Sequence, residues 1–163
     1  MRESFANIEK LHNILAKRME KRYTEMNAHV TDVDLKFVDE TSFGEYLDSL
    51  SDPTLSYTFT VAPCEGDAWN SPTVWSYANT VAYEFLKRKG TPKADGPLVE
   101  SEFKMLSEYI TADLADFEHI WKPVSANRVS DAELETNRTN IGCMNREDSI
   151  IIVAFESHMQ HAS

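Results

Sequence analysis

The sequence has few of the residues that mark several protein classes. It contains only two cysteines, five glycines and six prolines in 163 residues. Cys64 and Cys143 lie far apart and form no C-x-x-C pair, so they are expected to be buried thiols of a cytosolic protein rather than a disulfide or a metal site. No stretch approaches the ~20 apolar residues that span a bilayer, and residues 1–7 contain no apolar run of the signal-peptide type.

Basic residues are outnumbered by acidic ones, 16 to 27, which gives a formal net charge of −11. A chain this acidic would be repelled by phosphate groups, which argues against nucleic acid and against insertion at anionic membranes. Basic protein surfaces are its natural complement. An apolar content of 42% and a length of 163 residues are typical of one globular domain with a real core.

Two long amphipathic helices are predicted, because apolar residues recur at every third or fourth position. The first covers residues 5–26 and carries His12 on or near its apolar stripe, where a packed histidine is more common than a ligand. The second covers residues 100–121 and is predicted to end at Pro123.

The segments after the first helix alternate between apolar and polar residues. This pattern predicts half-buried strands at residues 30–38 and 55–61. Between them lies a short helix within residues 41–54, in which Ser42 and Glu45 have capping-box spacing. A third strand is predicted within residues 68–73, before a helix that Ser71-Pro72 opens.

Residues 87–97 hold two glycines, two prolines and four basic residues, which predicts a loop. In the second half, residues 124–129 are weakly extended and residues 131–137 form a short capped segment. Residues 142–148 are a loop. Residues 149–155 are apolar on both faces, which favours a central strand.

The order of long helix, strand, short helix and strand occurs twice, over about residues 5–90 and 98–157. Such a duplication predicts an α/β fold in which long helices pack on a central sheet with pseudo-twofold symmetry. The second repeat lacks a counterpart of residues 68–86. Either the chain is trimmed or its second repeat has a degenerate end.

Four motifs resemble the middle domain of the flagellar motor switch protein FliM, whose fold is related to the CheC and CheX chemotaxis phosphatases. They are the aromatic-Gly-Glu-aromatic-Leu run with Pro-Thr in residues 42–54, Trp-x-Pro-Val in residues 121–124, Leu-Glu-Thr-Asn in residues 134–137, and a strand that ends in Phe155-Glu156. They occur in the family's order and cover nearly the whole chain. The resemblance implies one CheC-like middle domain with α-β-α layers over residues 1–163, without the N-terminal CheY-binding segment and the FliN-like C-terminal domain of whole FliM.

The function implied by this resemblance is that of a non-enzymatic scaffold in the flagellar C-ring, at the cytoplasmic face of the inner membrane. FliM middle domains stand there side by side through weak self-association and hold FliG above them. Phosphorylated CheY acts on the ring to reverse rotation. CheY and FliN would be contacted through parts of FliM outside this chain, and no cofactor is implied.

In the FliM family, the loop between the repeats carries Gly-Gly-x-Gly and docks FliG. The register of the flanking residues places this motif at residues 87–90, where only the last glycine is kept. Long cations in place of glycines are expected to change the shape and charge of the loop. The candidate FliG-binding residues are those of the motif and the two that follow it: Lys87, Arg88, Lys89, Gly90, Thr91 and Pro92.

The alternative function is that of a CheC/CheX-type phosphatase acting on phosphorylated CheY. This chemistry needs Glu-x-x-Asn on a long helix, so that the amide positions a water for in-line attack on the aspartyl phosphate. Glu9 is followed three residues later by His12, and Glu108 by Thr111, so neither helix offers the pair. The terminal histidines 158 and 161 have i,i+3 spacing, but a histidine pair in a terminal tail is far more often inert than a zinc site. No catalytic residue and no metal ligand is therefore predicted.

Overall fold

The computed structural model describes residues 2–27, 31–51, 53–63, 71–93, 95–125 and 127–159. Its elements in chain order are α1 (Arg2–Asn27), β1 (Thr31–Ser42), α2 (Phe43–Ser49), β2 (Leu55–Pro63), β3 (Ser71–Tyr77), α3 (Asn79–Arg88), α4 (Glu100–Ser125), β4 (Asn127–Glu135), a 3-10 turn (Arg138–Asn140) and β5 (Ser149–Met159). The chain forms two compact units, of which one contains Met1–Thr41 and Ile150–Ser163 and the other Ser42–Ser149.

In the first unit, the long helix α1 accompanies a sheet formed by β1 and β5. Leu15, Met19 and Tyr23 are buried along α1, as their spacing predicts. The carboxylate of Glu20 accepts a hydrogen bond from the backbone N–H of Val33 at 3.1 Å. This bond ties the middle of α1 to the start of β1.

His12 is a packed residue of α1, as the sequence predicts. Its ring is buried, lies 6.1 Å from the ring of Phe155 in β5, and bonds through Nδ1 to the carbonyl oxygen of Ile8 at 2.8 Å. Burial lowers the pKa of His12, because the imidazolium form loses its hydration, and the bond to Ile8 only partly offsets this effect.

The second unit is built on an antiparallel sheet with the strand order β3-β2-β4. The ring of Phe117 in α4 packs edge-on against Phe59 of β2 and Trp75 of β3, with ring centroids 5.6 and 5.9 Å apart. Phe85 of α3 stacks on Tyr109 of α4 at 4.0 Å. These aromatic contacts place the core of this unit between α3, α4 and the sheet.

The short helix predicted within residues 41–54 is confirmed as α2. The side-chain oxygen of Ser42 accepts a hydrogen bond from the backbone N–H of Glu45 at 3.1 Å, as the predicted cap requires. The guanidinium of Arg138 closes the other end by donating to the carbonyl oxygen of Leu50 at 2.9 Å.

The prediction that Ser71-Pro72 opens a helix is wrong. Residues 71–77 form β3, and α3 begins only at Asn79. Within the described strands, β3 pairs with β2 alone and is an edge strand, where a proline that donates no N–H is tolerated. Val74 and Trp75 also have high strand propensity. The predicted strand positions 68–70 lie outside the described residues.

The prediction of a short capped segment over residues 131–137 is also wrong, because β4 continues to Glu135. Glu133 lies opposite Thr58 and Glu135 opposite Ser56 in the ladder with β2, and local patterning contains no sign of this pairing. The capped turn comes later, where Asn137 accepts a hydrogen bond from the N–H of Thr139 at the start of the 3-10 turn.

Three further expectations need correction. Helix α4 runs past Pro123 to Ser125, because a proline this close to the helix end removes only one intrahelical bond. Among the described strands, β5 pairs only with β1 and is therefore not central, and Ile151 is 48% exposed. Cys143 is exposed rather than buried, because it lies in the irregular segment before β5. Cys64 lies outside the described residues.

Candidate partner-binding loop

The six candidate residues lie where α3 ends and the loop to α4 begins. Lys87 and Arg88 form the last turn of α3, and Lys89 is its C-cap. Two residues of the expected loop are therefore helical. Cations in this position complement the partial negative charge at the carbonyl end of a helix.

Gly90 ends α3 in a left-handed conformation, with φ of +82°. Its N–H donates to the carbonyl oxygen of Lys87 at 3.1 Å, and the N–H of Thr91 donates to that of Leu86 at 2.9 Å. Together these two bonds make a Schellman motif, which calls for glycine because a Cβ atom disfavours positive φ. The one glycine of the motif kept in this chain is the one that the helix end requires.

Two of the four cations in residues 87–97 are engaged by carboxylates of α4. The side chain of Lys89 forms an ion pair with Glu108. The Nζ atom of Lys93 lies 3.0 Å from Oε1 of Glu102. The free positive charge of the segment is therefore smaller than its composition indicates. Lys87 and Lys89 are both exposed at the α3 terminus, and Lys89 is paired with Glu108.

Glu102 holds both ends of the loop from the first turn of α4. Its side chain is buried and accepts a hydrogen bond from the backbone N–H of Val99 at 2.8 Å, besides the bond from Lys93. Burial alone would raise the pKa of this carboxyl group, but the bonds from Val99 and Lys93 outweigh burial and lower it. Glu102 thus makes one half of a capping box for α4.

A third attachment holds the middle of the loop. The hydroxyl of Tyr83 donates to the carbonyl oxygen of Gly96 at 2.8 Å, and Gly96 has φ of +87°. A cavity of about 260 Å³ lies beside this attachment. Its walls come from the segment entering β2, the start of α3, the loop and α4, and include Leu55, Asn79, Tyr83, Pro97, Leu98 and Phe103.

The attachments by Tyr83 and Glu102 are what sequence reasoning missed at this site. Glycine and proline positions locate the loop, whereas Tyr83 and Glu102 are indistinguishable in the sequence from ordinary helix residues. The spacing of three between Val99 and Glu102 is a weak signal, because a capping box is normally recognised by Ser or Thr at the first position.

The part of the chain that the structure describes contains no candidate metal site. No three His, Cys, Asp or Glu side chains there could together hold a metal ion. His158 lies 3.3 Å from Glu156, and His161 is outside the described residues. Within the same residues, no helix is both long and apolar enough to cross a membrane.

Comparison with known proteins gives one family and several similar folds. The family model described as flagellar motor switch protein FliM matches residues 1–163. No curated protein sequence matches the chain. The fold resembles FliM in a FliG–FliM complex from H. pylori, with a TM-score of 0.87 and 19% identity over 99% of this chain and 88% of that chain.

Two further crystal structures are similar. The FliM middle domain from H. pylori has a TM-score of 0.80 and 16% identity over 99% of this chain and 87% of that chain. FliY from Thermotoga maritima has a TM-score of 0.76 and 11% identity over 100% of this chain and 86% of that chain. At such identities the likenesses concern the fold alone, and they confirm the mixed α/β class predicted from the sequence. The match of the family model over the whole length shows that the chain belongs to the flagellar motor switch protein FliM family.

Proposed function

We propose that this chain is a non-enzymatic scaffold and binding module of the flagellar motor switch, which links FliG to the C-ring and takes part in the control of rotation direction. The observation that carries the proposal is the fold shared with FliM of the H. pylori FliG–FliM complex over 99% of this chain. The module would act at the cytoplasmic face of the inner membrane, beside neighbouring copies of itself.

The loop after α3 is the proposed FliG contact. Its backbone is fixed at Gly90 by the Schellman motif and at Val99 by Glu102, while Lys87 and Pro92 are exposed beside it. A loop that is already ordered loses less conformational entropy when a partner binds. Exposed groups on such a loop can therefore bind a partner through a contact of moderate area.

Co-purification tests the proposal. The chain, immobilised through a tag, is expected to retain FliG encoded in the same genome from a clarified lysate and as purified protein. A tagged chain of similar net charge and unrelated fold is the control for ionic retention, because the chain carries −11. Failure of purified FliG to be retained above this control would contradict the proposal.

Self-association is the second contact proposed, and it is expected to be weak outside the ring. Sedimentation equilibrium at several protein concentrations is expected to show a small, concentration-dependent rise in average mass. A strict monomer at the highest accessible concentration would contradict the proposal of a measurable contact between copies.

A phosphatase function is not favoured by the residues that the two long helices carry. His12, three residues after Glu9, is buried and bonded within its own helix, and Glu108 is engaged by Lys89. Neither His12 nor Thr111, which stand three residues after these acids, carries the amide that positions the attacking water. The rate of CheY-phosphate hydrolysis is expected to be the same with and without the protein, and acceleration would overturn the non-enzymatic proposal.

A further inference from the structure

Beyond the Schellman motif at Gly90, the described part of the loop between α3 and α4 is held by side chains. Oε1 of Glu102 lies 3.0 Å from Nζ of Lys93 and 2.8 Å from the backbone nitrogen of Val99. One carboxylate oxygen therefore joins two loop positions that are six residues apart. The hydroxyl of Tyr83 fixes Gly96 between them.

The burial of Glu102 makes this link effective. Its exposed fraction is 7%, and the side chain of Lys93 is 20% exposed. A hydrogen bond between charged groups with little access to water is stronger than the same pair on the surface. The ion pair between Lys89 and Glu108 is different, because it lies at the surface, where the Glu108 side chain is 60% exposed.

We propose that Glu102 is a positioning residue for partner binding: together with Lys93 it holds the loop in the conformation to which FliG docks. This inference rests on the proposed function, since it concerns the same loop. The physical reason is pre-organisation. A loop released from Glu102 must be ordered again at each binding event, and this ordering weakens the complex without removing any group that touches the partner.

The experiment compares four variants of the whole chain. Glu102→Gln keeps an oxygen for the N–H of Val99 but loses the charge that holds Lys93, and Lys93→Gln removes the same ion pair from the other side. Lys93→Arg keeps the pair and is the conservative variant. Glu100→Gln is the matched control, because Glu100 is an exposed acid in the same helical turn.

Two properties of each variant are measured well below its melting temperature: amide hydrogen exchange over residues 91–99, and the dissociation constant for FliG by calorimetry. Glu102→Gln and Lys93→Gln are expected to exchange faster and to bind FliG about 3- to 10-fold more weakly. Lys93→Arg and Glu100→Gln are expected to match the wild type in both. If Glu102→Gln fails to fold, the two Lys93 variants carry the comparison.

The outcomes separate this inference from the proposed function. A residue needed only for stability would lower the melting temperature but leave the FliG affinity of the folded protein unchanged, and that result would overturn the inference alone. Equal weakening by Lys93→Arg and Lys93→Gln would do the same. If the wild-type chain does not bind FliG at all, both the proposed function and the inference are wrong.

Discussion

The backbone N–H of Gly44 donates to the carbonyl oxygen of Arg146 at 2.8 Å, and this bond joins the first turn of α2 to the segment before β5. The N–H of Phe43 bonds in the same way to Asp148 at 2.8 Å. The first N–H groups of a helix have no partner within the helix, and here another segment supplies the acceptors. The aromatic-Gly-Glu motif therefore serves as a docking point for residues 146–148.

The absence of a side chain at Gly44 is what permits this docking. A Cβ atom there would lie 3.1 Å from the carbonyl oxygen of Arg146 and 3.2 Å from its Cβ. Gly44→Ala is therefore expected to push the two segments apart and to lower the free energy of unfolding by about 1–3 kcal/mol, measured by urea denaturation. Gly142→Ala is the control, because the nearest atom to its Cβ would be 3.9 Å away. Equal stability of the two variants would mean that α2 does not need the close approach.

Gly90 is constrained by its conformation and not by space. Its φ is +82°, and no atom lies within 4 Å of the position that a Cβ would take. Gly90→Ala is expected to lower the free energy of unfolding by about 1 kcal/mol, because an L-residue is strained at this φ. Gly90→Asn is expected to cost less, since asparagine visits the left-handed region more readily. Thermal unfolding of the two variants checks the order, and an alanine variant as stable as the wild type would rule out the Schellman motif.

The stability of the chain is expected to depend on His12 in mildly acidic solution. The pKa of His12 is lowered in the folded state by burial, so the unfolded chain binds the proton first as the pH falls. Stability is then complete above the unfolded pKa of about 6.5 and is lost as the pH falls from that value towards the folded pKa. The measurement is the free energy of unfolding at pH 7.5 and pH 5.5.

Two variants isolate this contribution from that of the carboxylates. His12→Gln removes the titrating group, so its loss of stability between the two pH values is expected to be smaller than that of the wild type. His119→Gln replaces an exposed histidine of α4 and is expected to leave the wild-type loss unchanged. If His12→Gln loses as much stability between pH 7.5 and pH 5.5 as the wild type, burial of His12 does not contribute to that loss.

Elements with a local hydrophobic pattern are predicted correctly from the sequence. The errors fall on segments whose structure depends on pairing between strands. Period-3.6 stripes locate α1 and α4, and alternation locates β1 and β2, because both patterns are carried by residues close together in the sequence. Residues 131–135 carry helix-like capping signals but pair with β2, and Pro72 is accepted because β3 is an edge strand. For residues 131–135 the deciding partner is β2, a strand distant in sequence.

At the candidate site, the position of the loop is predictable from the sequence, whereas the contacts that hold it are not. Glycine and proline locate the loop from the sequence alone, and Gly90 is kept because its φ is positive. The pairing of Lys93 with Glu102 depends on how α3 and α4 lie beside one another, which no short motif encodes. The role of residues 87–92 in binding FliG stays a prediction.

Titration of purified FliG into the chain by calorimetry tests the central claim most directly. Lys87 and Pro92 are exposed on the proposed contact, so Lys87→Glu with Pro92→Asp places two negative charges there without touching the core. Lys104→Glu, at an exposed lysine of α4, is the control for one charge reversal elsewhere. With folding verified by circular dichroism, the double variant is expected to bind FliG at least about tenfold more weakly and Lys104→Glu to bind like the wild type. Wild-type affinity in the double variant would contradict the assignment of this loop as the FliG contact.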